Sequence, residues 1–577
     1  MTQVRKVDIQ NFRAIRSLTW CPSPGFNCLI GAGDSGKSTI VDAIDLCLGA
    51  RRNVSLGDTD FHKLDVAHPV RIEVTIGSLP DALKDLDTYG HYLRGLDQAT
   101  GLIEDEPRQG LETVLTLRLA VNSDLEPQWS LVSQRAAAMG LERNLAWKDR
   151  QLIAPARLGT YASANLTWTR GSVLNRLSEE RPSLGEELAR AARDARASFG
   201  AQASPQLADA LQIVARTAAD LGVDVGGNTQ ALLDSHSVSI SDGAIALHGA
   251  DGVPLRVLGT GSSRLLVAGL QRASAHQAPA VLVDEIEFGL EPHRLTRLLG
   301  ALGSKANPPP LQVFMTTHSP VVVRELSGQQ IALVRPDAAG GHHVKRVGNG
   351  DEVQATLRRD PEAFLAKSII VCEGASEVGL VRGLDDYWTS LNGKSMLAAG
   401  TAYVDVGGGD PDRCYIRGRV LADLGYRVLV FVDADKLPTA NQVEAYLATG
   451  ATHLAWRPGR ALEDELFLSL PDVAVDALLR RAVDLVGEDL VDEHIRTQTG
   501  GQVTLGDIRG QRQLQVAYPL HIRQSLGLVS RNRRNSWFKS VTKFEGIGYD
   551  IVGPHLQQSE AGFVELVNSL YWWAHAP

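Results

Sequence analysis

Ala280-Val281-Leu282-Val283-Asp284-Glu285 is a run of four apolar residues closed by two carboxylates. Such a run reads as a short buried strand. A buried strand that ends in charge needs something at its end to be charged against, and two other stretches supply it. Gly31-Ala32-Gly33-Asp34-Ser35-Gly36-Lys37-Ser38 fits G-x-x-x-x-G-K-[ST], a loop whose backbone amides cradle phosphate. Thr317-His318-Ser319 follows the apolar run Val313-Phe314-Met315. Together the three stretches describe an ATP site.

The context of the glycine loop agrees. Residues 4–10 alternate polar and apolar as a half-buried strand does, and Phe26–Ile30 is a second strand that feeds straight into the loop. Ile40, Ala43, Ile44, Cys47 and Leu48 then recur at helical spacing. Strand, loop and helix come in the order a phosphate site requires, with the helix N-terminus facing the anion. The expected nucleotide contacts are Gly31, Gly33, Asp34, Ser35, Gly36, Lys37, Ser38 and Thr39. Lys37 reaches the β- and γ-phosphates, and Ser38 binds Mg²⁺. Asp284 holds the same ion, Glu285 positions or deprotonates the attacking water, and His318 is placed to sense the γ-phosphate. Leu258-Gly259-Thr260-Gly261-Ser262-Ser263-Arg264 opens another helix, where Gly261 and Ser262 make a second anion-binding terminus.

Composition bounds the rest. The chain has 577 residues, 44% hydrophobic and 22% charged, which is globular usage for two or more domains. No apolar run reaches the ~18 residues needed to cross a bilayer, and Met1–Lys6 leads into an alternating strand rather than a signal-peptide core. Five cysteines without C-x-x-C spacing argue against a disulfide framework or a zinc site. The chain reads as a cytoplasmic protein that does not engage membranes. A net charge of −9 means that any nucleic-acid contact comes from a local basic patch.

Between these motifs the signals are structural. Val70–Ile76 and Thr113–Val121 read as strands, and Arg170 in Leu166–Ser172 is placed to meet either nucleotide or a carboxylate, the structural role being favoured. Residues 182–223 are alanine-rich and helical, with Leu184, Leu188, Ala191, Ala195 and Phe199 on one stripe. That stripe suits either a dimer surface or an internal helical lobe. Ile331–Pro336 and His342–Val347 flank a glycine turn as a hairpin does, and the polar stretch 348–366 reads as a linker.

A second constellation follows. Ser368–Cys372 is a buried strand ending in Glu373-Gly374-Ala375-Ser376-Glu377, and Val428–Val432 ends in Asp433-Ala434-Asp435. Both carboxylate pairs lie at C-terminal strand ends, where open α/β sheets place their sites. Hard oxygen ligands of this kind suit Mg²⁺ or Mn²⁺, with Ca²⁺ also possible. Further on, Arg531, Arg533 and Arg534 precede Trp537, a combination suited to phosphates and a stacked base.

Two resemblances follow from these residues. Gly31–Ser38, Leu258–Ser263, Asp284-Glu285, Gly289–Pro292 and His318, in that order, resemble the ABC-type ATPases of the structural-maintenance and DNA-repair class. The signature segment departs from that family's usual L-S-G-G-Q. The resemblance implies paired ATPase heads, with Gly261 and Ser262 against the partner's ATP. E-G-x-x-E followed by D-x-D resembles the TOPRIM domain of topoisomerases, primases and nucleases. An ABC-type ATPase followed by TOPRIM resembles the OLD family (overcoming lysogenization defect), second class, which includes the nuclease subunit of Gabija anti-phage systems. The resemblance implies that Glu463, or else Glu465, completes the metal site. It also implies that Lys539, or else Lys543, stabilises the transition-state phosphate.

The expected fold is α/β. An ABC-type ATPase head spans 1–347 with a helical insertion at about 155–235, and a TOPRIM nuclease domain spans 367–577. The expected activity is an ATP-regulated, two-metal DNA endonuclease with Glu373 and Asp433 central to catalysis, acting in anti-phage defence or DNA processing. The expected partners are DNA, further copies of the chain paired through the ATPase domain, and a UvrD-like helicase. The rivals are an SMC/RecF-like ATPase clamp that binds DNA without cutting it and a TOPRIM topoisomerase or primase. A topoisomerase would need a nucleophilic tyrosine in a dedicated domain, and none is recognisable.

Overall fold

The computed structural model describes residues 2–50, 54–159, 166, 172–177, 185–203, 205–220, 246–273, 280–337, 340–532 and 534–576. It resolves into two units, neither of them continuous in sequence. One comprises Met1–Cys28, Gly36–Thr317 and Asp337–His342; the other comprises Leu29–Ser35, His318–Pro336 and His343–Pro577.

The chain begins with β1 (Gln3–Phe12), β2 (Ile15–Trp20) and β3 (Phe26–Ile30), the last two residues of which count with the second unit, followed by α1 (Lys37–Leu48). Next come β4 (Val70–Gly77), β5 (Arg94–Leu96), β6 (Ile103–Glu104), β7 (Glu112–Val121) and β8 (Pro127–Leu131). Its antiparallel part runs β6-β5-β7-β4-β1-β2, with β8 on the free side of β7. Val7 faces Trp20 on one side and Val74 on the other. Alternation puts Val7, Ile9, Ile72 and Val74 into the core, as expected of strands with one wet face. Ile40, Ala43, Ile44, Cys47 and Leu48 are all fully buried, so the spacing read from sequence is the packed face of α1.

The parallel part contains β9 (Ala156–Arg157), β10 (Ala280–Val283) and β11 (Gln312–Thr316) in the order β9-β10-β11. Both longer strands are buried at every position, which explains why they read as unbroken apolar runs. Between β9 and β10 lie α2 (Gly185–Ala203), α3 (Ala208–Asp220) and α4 (Thr260–Ala273); α5 (Pro292–Leu302) follows β10. On α2, Leu188 is half-buried while Ala191, Ala195 and Phe199 are exposed, so this part of the stripe faces outward. Leu184 and Arg170 lie outside the described residues.

Strands β12 (Ile331–Pro336) and β13 (His342–Arg346) form the expected hairpin. The Asp337 N–H donates to the Gly341 carbonyl at 2.8 Å, and the Val347 N–H to that of Ile331 at 3.1 Å.

The expected linker is folded structure. Residues 348–366 contain α6 (Asp351–Arg359) and a 3₁₀ turn, with Val353, Leu357 and Phe364 buried. Val353 and Leu357 stand four apart and share a helix face; the charged residues flanking them, Asp351, Glu352, Arg358 and Arg359, masked the pattern. Arg417 pairs with Glu352 at 2.6 Å within the second unit, to which this helix belongs.

That unit is built on β14 (Ser368–Cys372), β15 (Thr401–Asp405), β16 (Arg427–Val432) and β17 (Thr452–Ala455), a parallel sheet in the order β15-β14-β16-β17. Cys372 registers with Asp405 on one side and Phe431 on the other, so the strands end level. Helices α7 (Ala375–Ser390), α8 (Asp412–Asp423), α9 (Leu462–Ser469), α10 (Leu520–Ser530), α11 (Val541–Ile547) and α12 (Ala561–His575) accompany it. Gly379 and Gly383 let α7 press against α11: a Cβ at either would lie 2.3 Å from the Val541 carbonyl or 2.0 Å from that of Glu545.

Candidate active sites

The glycine loop takes the shape its residues permit. Gly31 has φ 152° and an added Cβ would sit 2.5 Å from the Val334 carbonyl; Gly36 has φ 85° and caps α1. Only glycine meets both demands without strain. Lys37 and Thr39 are buried, while Gly33, Asp34 and Ser38 are exposed. The Ser38 hydroxyl donates to Asp284 Oδ1 at 2.9 Å, so the two expected Mg²⁺ ligands meet as read from sequence. Thr316 also donates to Asp284 Oδ1, at 2.6 Å, and its hydroxyl oxygen accepts the Glu285 N–H at 2.8 Å. Glu285 has φ 46° and an exposed side chain. His318 is exposed just beyond β11.

Sequence reasoning missed Arg264, which has no exposed surface. Its guanidinium donates to the carbonyls of Phe288 at 2.6 Å and Glu285 at 3.3 Å, clamping the turn that carries the two carboxylates. Burial pulls its pKa down, opposed by Glu287 and Glu285. The signal was a cation immediately after Ser262-Ser263, in a segment otherwise read for its glycines. Gly261 and Ser262 are engaged within their own chain. A Cβ on Gly261 would lie 2.9 Å from the Gly289 carbonyl, and the Ser262 hydroxyl accepts from Arg294 at 3.2 Å.

In the second unit the level strand ends open onto a cavity of about 710 Å³. Its walls bring together Glu373, Glu377, Asp433, Asp435, Glu463 and Lys539, residues that the sequence distributes over some 170 positions. Three of these carboxylates are oriented by backbone. Glu377 accepts the Gly374 N–H at 2.8 Å, Glu373 that of Asp433 at 3.2 Å, and Asp433 that of Leu462 at 2.9 Å. Burial pushes the Glu377 carboxyl up to about 8, with Glu463 and Glu373 adding to the effect. Burial likewise raises Asp433, reinforced by Glu377, Glu373, Glu463 and Asp435. Glu373 and Glu463 are raised too, burial outweighing the nearby cations. Six acids line the cavity (the five above and Asp405) against four cations, Arg359, Lys436, Arg531 and Lys539.

Several sequence expectations are decided here. Glu465 is 1% exposed and bound to Arg457 at 2.6 Å and Arg460 at 3.1 Å, away from the cavity wall. Of the two candidates, Glu463 is the one on the cavity wall. Lys543 donates to the Trp537 carbonyl at 3.2 Å, whereas Lys539 is exposed on the cavity wall. Trp537 is not a stacking surface. It is fully buried, parallel to His494 and in edge contact with Phe467 and Phe538. The residues before it in sequence are polar, but its environment is the core. Arg531 is not a free phosphate ligand either, because it pairs with Asp435 and Asp464 at 2.7 and 3.0 Å. Arg534 is exposed, and Arg533 lies outside the described residues. As they stand, no three described His, Cys, Asp or Glu side chains converge closely enough to hold an ion.

Against known families, residues 26–324 match the model described as AAA domain, putative AbiEii toxin, Type IV TA system. That is more than half of the 577 residues. The chain belongs to this family. The matched region of this AAA-domain ATPase runs from β3 beyond β11, so it contains Lys37, Ser38, Asp284 and Glu285, and ATP is its ligand. No curated protein matches the chain. Among solved structures, the SMC head domain from Thermotoga maritima is 14% identical, covering 60% of this chain and 99% of that one at a TM-score of 0.27. The Smc head domain with an extended coiled coil from Pyrococcus furiosus, bound to the C-terminal domain of ScpA, is 15% identical, covering 60% and 96% at 0.31. The recombination mediator RecF–ATP is 10% identical, covering 60% and 99% at 0.32. Similarities this low bear on neither site. Among the described residues, no helix of the ATPase is long and apolar enough to cross a membrane.

Proposed function

We propose that this ATPase is an ATP-regulated DNA endonuclease of the OLD type, with its phosphodiester-cleaving site in a TOPRIM-like second unit. The observation that carries the reading is the cavity at the ends of β14 and β16, where five carboxylates and Lys539 face one space. Its donor set suits hard divalent cations. Uncompensated acids with raised pKa values are what such a charge relieves. Glu373, Glu377, Asp433, Asp435 and Glu463 would hold Mg²⁺ or Mn²⁺, which supply an activated water and neutralise the leaving oxygen. Backbone N–H bonds fix the directions of Glu373, Glu377 and Asp433, and Lys539 presents a cation to the phosphate. DNA as substrate, pairing of ATPase heads, a helicase partner and a role in anti-phage defence belong to the same reading.

Plasmid cleavage with Mg²⁺ or Mn²⁺, with and without ATP, tests it. Wild type should cut, EDTA should stop it, and Glu373→Ala should be inert. Equal cutting by Glu373→Ala would remove the site from consideration. A second reading, an ATPase clamp that binds DNA without cutting, is favoured by one observation: Asp435 is already paired with Arg531. Metal-dependent binding of DNA without product would decide for it.

A further inference from the structure

Arg531 is anchored before its side chain begins. It caps α10 after Ser530, which is fully buried, donates its hydroxyl to the Gly527 carbonyl at 2.8 Å and accepts the Trp537 N–H at 2.9 Å. A cation at this helix end also meets the negative pole of the helix. One arm of the guanidinium is equally fixed. Asp464 accepts the Ala461 N–H at 3.1 Å, and Gly527 lets α10 press onto it, since a Cβ there would lie 2.7 Å from Asp464 Oδ1. The Arg531–Asp464 pair, at 3.0 Å, is thus part of the α9–α10 contact. The other arm reaches Asp435 at 2.7 Å, and Asp435 stands on the loop after β16 with its carboxylate 23% exposed. One end of the bridge is built into packed helices; the other holds an acid on a loop.

Resting on the nuclease reading above, we infer that Arg531 is a built-in competitor for the divalent cation, holding Asp435 until metal displaces the guanidinium. Arginine suits the task. Its charge is permanent, and its planar fork holds Asp435 with one arm while Asp464 fixes the other. The same contact keeps Asp435 from serving as a free ligand. Arg531 is a positioning residue, not a catalytic one: it acts on a ligand of the metal.

The test measures Mn²⁺ binding by the full chain, by calorimetry and by the rise in melting temperature on adding Mn²⁺. Removing a cation close to a divalent ion should tighten Mn²⁺ binding in Arg531→Ala at least about tenfold. Metal-free Arg531→Ala should melt below wild type, and Mn²⁺ should raise its melting temperature by more than it raises that of wild type. Arg531→Gln keeps length and planarity without charge and should do the same if Arg531→Ala does not fold. Arg531→Lys, charged but without a fork, should fall between. Unchanged or weaker Mn²⁺ binding in folded Arg531→Ala or Arg531→Gln overturns the competitor role. Glu373→Ala separates this from failure of the nuclease reading. If it binds Mn²⁺ as wild type does, the metal site itself is wrong and the competitor role falls with it. If it loses Mn²⁺ while the Arg531 variants match wild type, only the competitor role falls.

Discussion

Single side chains separate the two chemistries. Lys37→Ala should abolish ATP binding, because the cation offsetting the β- and γ-phosphates is gone. Glu285→Gln should bind ATP and fail to hydrolyse it, since Asp284 and Ser38 remain paired. Nucleotide binding and phosphate release on the two variants check both statements. Lys539→Ala should slow DNA cleavage roughly 10²–10³-fold with Mn²⁺ affinity unchanged, as expected when a donor to developing charge is lost. Lys543→Ala should instead lower the melting temperature, since its Nζ satisfies a core carbonyl. Reversal of that pattern would exchange the two lysines.

Elements show what was legible and what was not. The ends of β10, β14 and β16 could be read because an apolar run closed by paired acids is rare in a core. So could α1, whose five apolar positions are all buried. Trp537 was misread because sequence shows residue type and not which side of a chain faces the interior. The stretch 348–366 was misread because a few buried side chains scattered among charges look like a linker. Helix α6 ends at Asp360, whose Oδ2 is buried without a partner and whose carboxyl is pushed up to about 6, chiefly by burial. The folded state then holds a proton that the unfolded chain releases near its ordinary value of 3.8. Stability should therefore fall as pH rises from about 4 to 6 and level off above. Asp360→Asn should flatten that decline, which thermal melts across pH 4–7 would show; an unchanged slope would assign the effect elsewhere. At the contact of α7 with α11, Gly383→Ala should cost about 1–3 kcal/mol or more, because the added methyl meets backbone and not a movable side chain.

At the scale of the molecule, ATPase-domain pairing is the remaining expectation. The exposed Ala191, Ala195 and Phe199 on α2 make an outward apolar stripe of the kind that symmetric pairs cover. Light scattering with ATP should give a mass of at least twice 62.2 kDa, and a monomer at micromolar concentration would exclude pairing.

The division of the chain bears on the order in which it can be made. Leu29–Ser35 belongs to the same unit as His318–Pro336, and Gly31 closes against the carbonyl of Val334. The ribosome emits that loop some three hundred residues before its neighbouring strand. Until then the growing polypeptide carries the complete phosphate-binding motif with one wall of it missing. A ribosome-bound chain stopped short of Ile331 should therefore ignore ATP, and one released past Arg346 should begin to retain it. Nucleotide capture would then mark, during translation, the moment at which the two units have both begun to form.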